Sequence, residues 1–115
     1  MNVSPRLLFA LAGLAFAALV LWPGSAERAV AQARAVVGKD KVVMFSTRHC
    51  GYCERLRRDL RQAGIPWTER DIEASTANYN AWRALGGRGV PLTLVGETVV
   101  NGYNPGRILE LARRP

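Results

Sequence analysis

A pair of cysteines two residues apart constrains this chain more than any other feature. Cys50 and Cys53 are its only cysteines, and they enclose Gly51-Tyr52. An apolar, β-branched run, Val42 to Phe45, precedes the pair, and a segment with helical spacing, Glu54 to Ala63, follows it. A C-x-x-C motif at a strand-to-helix turn is typical of redox chemistry.

The position of each cysteine predicts a separate role. Cys50 is expected at the N-terminus of the helix, where free backbone N–H groups and the helix dipole stabilise a thiolate. Cys53 lies on a stripe that continues through Leu56 and Leu60, and an apolar stripe with this spacing faces the core. We therefore expect Cys50 to be the nucleophile and Cys53 to be the sheltered, resolving thiol.

A structural disulfide and a structural zinc site are two other uses of a C-x-x-C pair. A structural disulfide across so short a loop would stabilise the fold little, because the loop entropy that a disulfide removes grows with loop length. A structural zinc site needs about four ligands, and His49 is the only further soft ligand near the pair. His49 is either a surface histidine or a cation that helps to stabilise the Cys50 thiolate.

The N-terminal part of the chain predicts a targeting or anchoring segment. Residues 7–22 form an apolar run of 16 residues preceded by Arg6. A membrane span needs about 20 residues, and the core of a signal peptide has about 7–15. Gly24-Ser25-Ala26 and Ala29-Val30-Ala31 both have the small residues of a cleavage site.

These features divide the chain into three parts. Residues 1–26 are predicted to be a signal peptide or an N-terminal membrane anchor, with a buried core helix as a third alternative. Residues 27–38 are predicted to be a linker, and residues 39–115 a single redox domain. With a signal peptide or a tether through residues 7–22, the domain faces an extracytoplasmic, periplasmic space.

The charge of the chain is strongly positive. The formal net charge is +7, and residues 39–115 contain 13 basic and 8 acidic residues. Four arginines cluster after the cysteines: Arg55, Arg57, Arg58 and Arg61. They form either a solvated helix face or a surface that attracts acidic thiol substrates, glutathione or anionic lipid headgroups. The aromatic residues are not interleaved with this cluster, which argues against nucleic acid as a partner.

The order of predicted elements defines an α/β fold. The predicted strands are 42–46, 67–71, 91–95 and 98–100, and the predicted helices are 54–63, 75–85 and one that starts at Asn104-Pro105. A β-α-β unit gives parallel strands, and Gly96-Glu97 forms a hairpin turn. Asn104 is expected to cap the last helix, with Pro105 at its first position. The β-α-β unit, the hairpin and the last helix together predict a four-stranded mixed sheet with helices on its faces.

This order resembles the thioredoxin superfamily, and three motifs resemble glutaredoxins. Cys50-Gly51-Tyr52-Cys53 is similar to the family's C-P-Y-C. Gly89-Val90-Pro91 is similar to T-V-P, whose proline is cis, and Asn101-Gly102-Tyr103-Asn104 takes the place of the G-G-x-D segment before the last helix. The resemblance extends from Lys41 to about Leu111.

The resemblance implies a thioredoxin-like (glutaredoxin) fold, preceded here by the N-terminal hydrophobic segment. It implies a monomeric thiol–disulfide oxidoreductase that reduces protein or glutathione mixed disulfides through Cys50 and Cys53, with glutathione as co-substrate and no bound metal. A cis Pro91 would let the backbone of Val90 pair with a peptide or glutathione. The implied binding residues are Arg48, Tyr52, Val90, Pro91, Gly102, Tyr103 and Asn104.

Departures from the family pattern imply two alternatives. Gly51 replaces the family proline, and a small residue there accompanies a [2Fe–2S] cluster held by Cys50 of two subunits and two glutathiones. Asn104 replaces the aspartate that binds the glutathione amino group, and Thr47 replaces a lysine, which leaves Arg48 as the nearest cation. Gly102 to Pro105 also resembles the G-F-x-P segment of redoxins that thioredoxin reductase reduces. A membrane-tethered structural domain with an idle disulfide is a third class.

Overall fold

The structure, a computed structural model, describes residues 24–115. Four helices and four strands lie within these residues: α1 (Ser25–Val37), β1 (Val42–Ser46), α2 (Gly51–Gln62), β2 (Thr68–Asp71), α3 (Thr76–Ala84), β3 (Leu92–Val95), β4 (Thr98–Asn101) and α4 (Pro105–Ala112). The predicted caps Ser75 and Asn104 accept hydrogen bonds from the backbone N–H groups of Asn78 and Arg107. Helix α2 begins three residues earlier than predicted, because Cys50 itself is its N-cap.

The strands form one sheet in the order β2-β1-β3-β4. Strands β1 and β2 are parallel, whereas β1 pairs with β3, and β3 with β4, in antiparallel orientation. Strand β1 lies in the interior of the sheet, and all five of its residues are buried. The predicted mixed, four-stranded sheet is therefore confirmed.

The alternating side chains of β1 enter two separate core layers. Val43 and Phe45 pack in the layer that contains residues of α1 and α3. Val42 and Met44 pack in the layer that contains residues of α2 and α4. Each face of the sheet is thus covered by two helices, because successive residues of a strand point to opposite faces.

The prediction of a linker over residues 27–38 is wrong, because these residues form most of helix α1. Ala33 and Val37 are 0% and 1% exposed and belong to the core. Arg34 donates hydrogen bonds to the carbonyl oxygens of Gly38, Asp40, Lys41 and Gly96, the last at 2.6 Å. Alanine-rich sequence has high helix propensity, and the sheet face supplies the apolar surface that the helix needs. The folded unit therefore includes α1.

Across residues 24–115, no helix combines the length and the apolar character needed to cross a membrane. Most of the predicted signal peptide or anchor, residues 1–26, lies outside the described residues, and so does the whole apolar run 7–22.

Candidate active site

The two cysteines lie at the start of α2, where the chain leaves the interior strand β1. They form a disulfide, with their Cα atoms 5.2 Å apart. The Sγ of Cys50 also accepts a hydrogen bond of 3.1 Å from the backbone N–H of Cys53. Cys50 therefore acts as the N-cap of α2, a position in which a side chain satisfies a free N–H group. The same contact would stabilise a thiolate at Cys50 after reduction.

The two sulfurs differ in their access to solvent. Cys53 is completely buried, whereas Cys50 is half-buried. The apolar stripe that begins at Cys53 continues into the core at Leu56 and Leu60, as the sequence predicts. A substrate disulfide can approach Cys50 but not Cys53, so the geometry fits the predicted division into nucleophile and resolving thiol. The order of their reactivity stays a prediction.

The loop before β3 is held in place by the end of α3. The Val90-Pro91 peptide bond is cis, which confirms the expectation from the T-V-P resemblance. The indole N–H of Trp82 donates a 3.0 Å hydrogen bond to the carbonyl of Gly89. A Cβ at Gly87 would lie 2.4 Å from the Trp82 ring, so only glycine allows this approach. Sequence reasoning missed the roles of Trp82 and Gly87, although three glycines within residues 86–89 signal an unusual backbone path.

The second and third family-like motifs meet beside a cavity. The backbone N–H of Gly102 donates a 2.9 Å hydrogen bond to the carbonyl of Pro91. Gly102 has a φ of +76°, which glycine adopts without strain. A cavity of about 390 Å³ lies here, lined by Gly86, Arg88, Gly89, Val90, Asn101 and Gly102. Val90 and Gly102 were predicted to bind substrate, whereas the exposed cation Arg88 was not.

Two tyrosines from distant parts of the chain stack next to the cysteine turn. The rings of Tyr52 and Tyr103 have centroids 5.5 Å apart. Tyr52 is 57% exposed, and the guanidinium of Arg55 lies 5.6 Å from the centre of its ring. The hydroxyl of Tyr103 donates a hydrogen bond to Asp59, and this bond raises the pKa of Tyr103. Both tyrosines were predicted, and Asp59 was missed.

The remaining predicted polar residues have different positions. The side-chain oxygen of Asn104 accepts a 3.2 Å hydrogen bond from the backbone N–H of Arg107. Asn104 therefore has a structural role as a helix cap, whatever else it binds. Arg48 and His49 are exposed in the loop before Cys50, and neither lines the cavity next to Val90.

A carboxylate on β2 connects α2 to the sheet. Glu69 accepts hydrogen bonds from Arg57, at 2.7 Å for the closest nitrogen, from the Ser46 hydroxyl at 2.9 Å and from the Trp67 indole at 3.2 Å. The bond from Arg57 lowers the pKa of Glu69 and raises that of Arg57. Because Ser46 ends β1, this network fixes both sides of the cysteine turn. Sequence reasoning missed this network, because contacts between α2, β1 and β2 depend on how these elements pack together.

The sheet order, the C-x-x-C disulfide at the start of α2 and the cis proline before β3 define a thioredoxin-like fold with a redox-active dithiol. A family model described as Glutaredoxin matches residues 42–100, slightly more than half of the chain. The chain belongs to the glutaredoxin family, and it is a thiol–disulfide oxidoreductase.

Solved structures with this fold include three informative neighbours. The buckwheat glutaredoxin–glutathione complex has a TM-score of 0.60 and 22% identity, over 78% of this chain and 94% of that one. The holo form of glutaredoxin C1 from Populus tremula x tremuloides has a TM-score of 0.60 and 24% identity, over 75% and 96%. NrdH-redoxin from Escherichia coli has a TM-score of 0.59 and 22% identity, over 64% and 97%. No curated protein sequence matches the chain.

Proposed function

We propose that this chain is a glutathione-dependent oxidoreductase that reduces protein or glutathione mixed disulfides through Cys50 and Cys53. The observation that carries the proposal is the arrangement of the two sulfurs at the start of α2. A half-buried Cys50 accepts a backbone hydrogen bond, and a fully buried Cys53 lies behind it. This arrangement favours attack by Cys50 on an external disulfide and later release by Cys53 or by a second thiol.

The reaction proceeds by successive thiol–disulfide exchanges. The Cys50 thiolate attacks the glutathione sulfur of a mixed disulfide, the S–S bond breaks, and the substrate leaves as a thiolate that takes up a proton. Cys50 is then bonded to glutathione. A second glutathione thiolate attacks that glutathione sulfur, forms glutathione disulfide and regenerates the Cys50 thiolate. In the dithiol route, Cys53 instead releases the product and forms the Cys50–Cys53 disulfide, which two glutathiones reduce.

Glutathione binding is supported by the cavity beside the cis-proline loop. The cavity next to Val90 and Gly102 is about 390 Å³ and has Arg88 on its wall. A guanidinium there suits one of the two glutathione carboxylates, and the backbone of Val90 can pair with a peptide in β-like fashion. The buckwheat glutaredoxin with this fold was solved as a complex with glutathione.

The test is a glutathione-coupled assay that measures reduction of a small mixed disulfide by the full chain. Wild type is compared with Cys50→Ser and Cys53→Ser. We expect Cys50→Ser to lose all turnover above the uncatalysed rate with glutathione, because the remaining thiol, Cys53, is fully buried. We expect Cys53→Ser to keep turnover, because a second glutathione releases the product. The intact fold of each variant is checked by circular dichroism.

Two results of this assay would contradict the proposal. If turnover survives in Cys50→Ser, Cys50 is not the nucleophile. No glutathione-dependent turnover in the wild type would favour a redoxin served by a thioredoxin-reductase-type partner. Asn104 favours that second candidate, because it is uncharged and its side-chain oxygen already caps α4. Replacing glutathione by such a reductase and NADPH in the same assay would then restore turnover.

The iron–sulfur alternative depends on Gly51. Gly51 is the first residue of α2, and a Cβ there would meet no atom within 4 Å. Proline is favoured at this helix position, so Gly51→Pro should fold normally. If the chain carries a cluster, anaerobically purified wild type will be brown and dimeric, and Gly51→Pro will be colourless. A colourless wild-type monomer is the result expected for the oxidoreductase.

We also propose that the enzyme acts in an extracytoplasmic space, as an exported or anchored protein. The support is the apolar run 7–22 with Arg6 before it and small residues after it. Fractionation of the full chain, followed by N-terminal sequencing, tests this. Cleavage after Ala26 would keep most of α1, whereas cleavage after Ala31 would remove Val30, which packs against the core. A soluble cytoplasmic chain with its N-terminus intact would contradict the proposal.

A further inference from the structure

Three arginines form an exposed stripe along α2. Arg55, Arg58 and Arg61 follow one another at intervals of three residues, and all three are exposed. Side chains three apart lie on the same side of a helix, and the stripe spans about 9 Å of helix axis. Within residues 24–115, none of the three makes a salt bridge. The stripe is therefore a surface of uncompensated positive charge.

The neighbouring charges on α2 have other partners. Arg57, the fourth arginine of the sequence cluster, pairs with Glu54 at 2.8 Å and Glu69 at 2.7 Å. Asp59 accepts the hydrogen bond from the Tyr103 hydroxyl. The structure thus separates one arginine with two ion pairs from three that make none within residues 24–115, although Arg55 and Arg61 lie over the rings of Tyr52 and Trp67.

The stripe is continuous with the redox centre. Its first member, Arg55, lies over the ring of Tyr52, which precedes Cys53 in the chain. Tyr52 in turn stacks on Tyr103. Asp59, which directly follows Arg58 in the chain, accepts the hydrogen bond from the Tyr103 hydroxyl, so the tyrosine pair also lies next to the middle of the stripe. A segment bound along the stripe would therefore pass directly from Cys50 over the tyrosine pair.

We propose that this stripe binds an acidic segment of the protein substrate, next to the cysteine that Cys50 attacks. Carboxylates of aspartate or glutamate suit guanidinium groups, because they can accept two parallel hydrogen bonds. The aromatic pair offers an apolar contact to the residues between the acidic segment and the disulfide. The stripe does not line the cavity next to Val90. This inference rests on the proposed function and adds the substrate class to it.

The test compares two peptides that each carry one glutathione mixed disulfide on cysteine. In one, four Asp and Glu residues follow the cysteine; in the other, Asn and Gln replace them. The full chain, in micelles of neutral detergent, is assayed for kcat/KM on both. We expect about a five- to tenfold preference for the acidic peptide at low salt. The preference should vanish near 1 M salt, where the Debye length is only about 3 Å.

Two variants with equal charge change assign the preference to the stripe. Arg58→Gln/Arg61→Gln removes two stripe charges at a distance from the cysteines, and we expect most of the preference to disappear. Arg28→Gln/Lys39→Gln removes two exposed charges outside α2, and we expect the preference to remain. Turnover of the neutral peptide should be unchanged in both variants.

Other outcomes would overturn the inference in distinguishable ways. Equal rates for the two peptides in the wild type would show that the stripe selects no acidic substrate, although the proposed function would stand. Equal loss in both variants would assign the preference to net charge alone. If the peptides react equally, and binding to phosphatidylglycerol vesicles falls only in Arg58→Gln/Arg61→Gln, the stripe binds membranes. No turnover of either peptide would contradict the proposed function itself.

Discussion

Helices α1 and α2 cover opposite faces of the same sheet and contribute different properties to the protein. Helix α1 buries Ala33 and Val37 and carries none of the predicted site residues. Helix α2 buries Cys53, Leu56 and Leu60, and it also carries the redox centre at its start. Arg34 bonds α1 to the loops beside β1 and β3, Arg70 of β2 donates to the carbonyl of Val37 in α1, and Arg57 bonds α2 to Glu69 of β2. The comparison teaches that one face stabilises the fold, whereas the other both stabilises it and performs the chemistry.

Removing α1 should have the largest effect. A chain that begins at Lys39 loses Ala33 and Val37 from the core layer that they share with Val43 and Phe45. Burial of one large apolar side chain is worth about 1.5–3 kcal/mol, and a domain is stable by only about 5–15 kcal/mol. We expect the truncated chain to be unfolded or aggregated by circular dichroism, whereas a chain that begins at Gly24 unfolds cooperatively. Cooperative unfolding of both chains at similar temperatures would restore the interpretation of residues 27–38 as a linker.

Arg34→Gln should weaken the attachment of α1 without removing it. Arg34 donates to four carbonyl oxygens, of which Gly96 belongs to the turn between β3 and β4. Charged hydrogen bonds contribute about 1.5–3 kcal/mol each when buried; because these are mostly exposed, we expect a loss of about 1–2 kcal/mol in urea unfolding. Arg28→Gln on the same helix is the control, with a change within about 0.5 kcal/mol. Equal changes in the two variants would show that the Arg34 contacts add nothing.

Glu69→Gln should weaken the corresponding attachment of α2 in a pH-dependent way. Because hydrogen bonds, chiefly from Arg57, lower the pKa of Glu69 in the folded protein, its ionisation favours folding. That stabilisation is complete above the ordinary glutamate pKa, and it is lost as pH falls through the lowered, folded-state value. We expect a loss of about 1 kcal/mol at pH 7.

Urea unfolding of wild type and Glu69→Gln at pH 7 and near pH 3 provides the measurement. The difference between the two proteins should shrink at the lower pH, because Glu69 is then increasingly protonated in the wild type. A difference that is constant with pH would mean that the Glu69 charge has no part in the attachment of α2.

Thr93→Val should have the smallest effect, and the effect should be stabilising. Thr93 is 0% exposed, pairs with Met44 and Val100, and has a hydroxyl with no hydrogen-bond partner among the described residues. A buried unpaired hydroxyl costs about 1–3 kcal/mol, so replacing it with a methyl should raise the free energy of unfolding by about 1 kcal/mol. Destabilisation by Thr93→Val would instead reveal a hydrogen-bond partner for the hydroxyl.

The parts of the fold with local sequence signals were predictable. The buried run Val42 to Ser46, the caps Ser75 and Asn104, and the hairpin turn at Gly96-Glu97 all have signals within a few residues. Helix α1 was missed because its core-facing side chains are only Ala33, Val37 and the partly buried Val30, a stripe too weak to indicate a core helix. Its burial depends on a sheet face formed by residues much later in the chain.

The candidate site likewise contains residues that the sequence identifies and residues that only the structure shows. Cys50 and Cys53, Tyr52 and the cis Pro91 were identified from motifs, because each depends on a short stretch of sequence. Two groups were not found: the supporting residues Asp59, Glu69, Trp82 and Gly87, and the cavity cation Arg88. Contacts such as Arg57 to Glu69 join α2 to β2, and their existence depends on strand register and helix packing.

The sequence alone determined the chemistry, since two cysteines two residues apart at a helix start can act as a nucleophile and a resolving thiol. It also determined the order of elements from Val42 to Ala112, because caps, turns and apolar spacing are local properties. Only the tertiary structure decided that α1 belongs to the folded unit and that, within residues 24–115, Arg57 forms ion pairs while Arg55, Arg58 and Arg61 form none. These facts depend on which surfaces and charges meet in space, and such distances arise only when the sheet and its helices pack together.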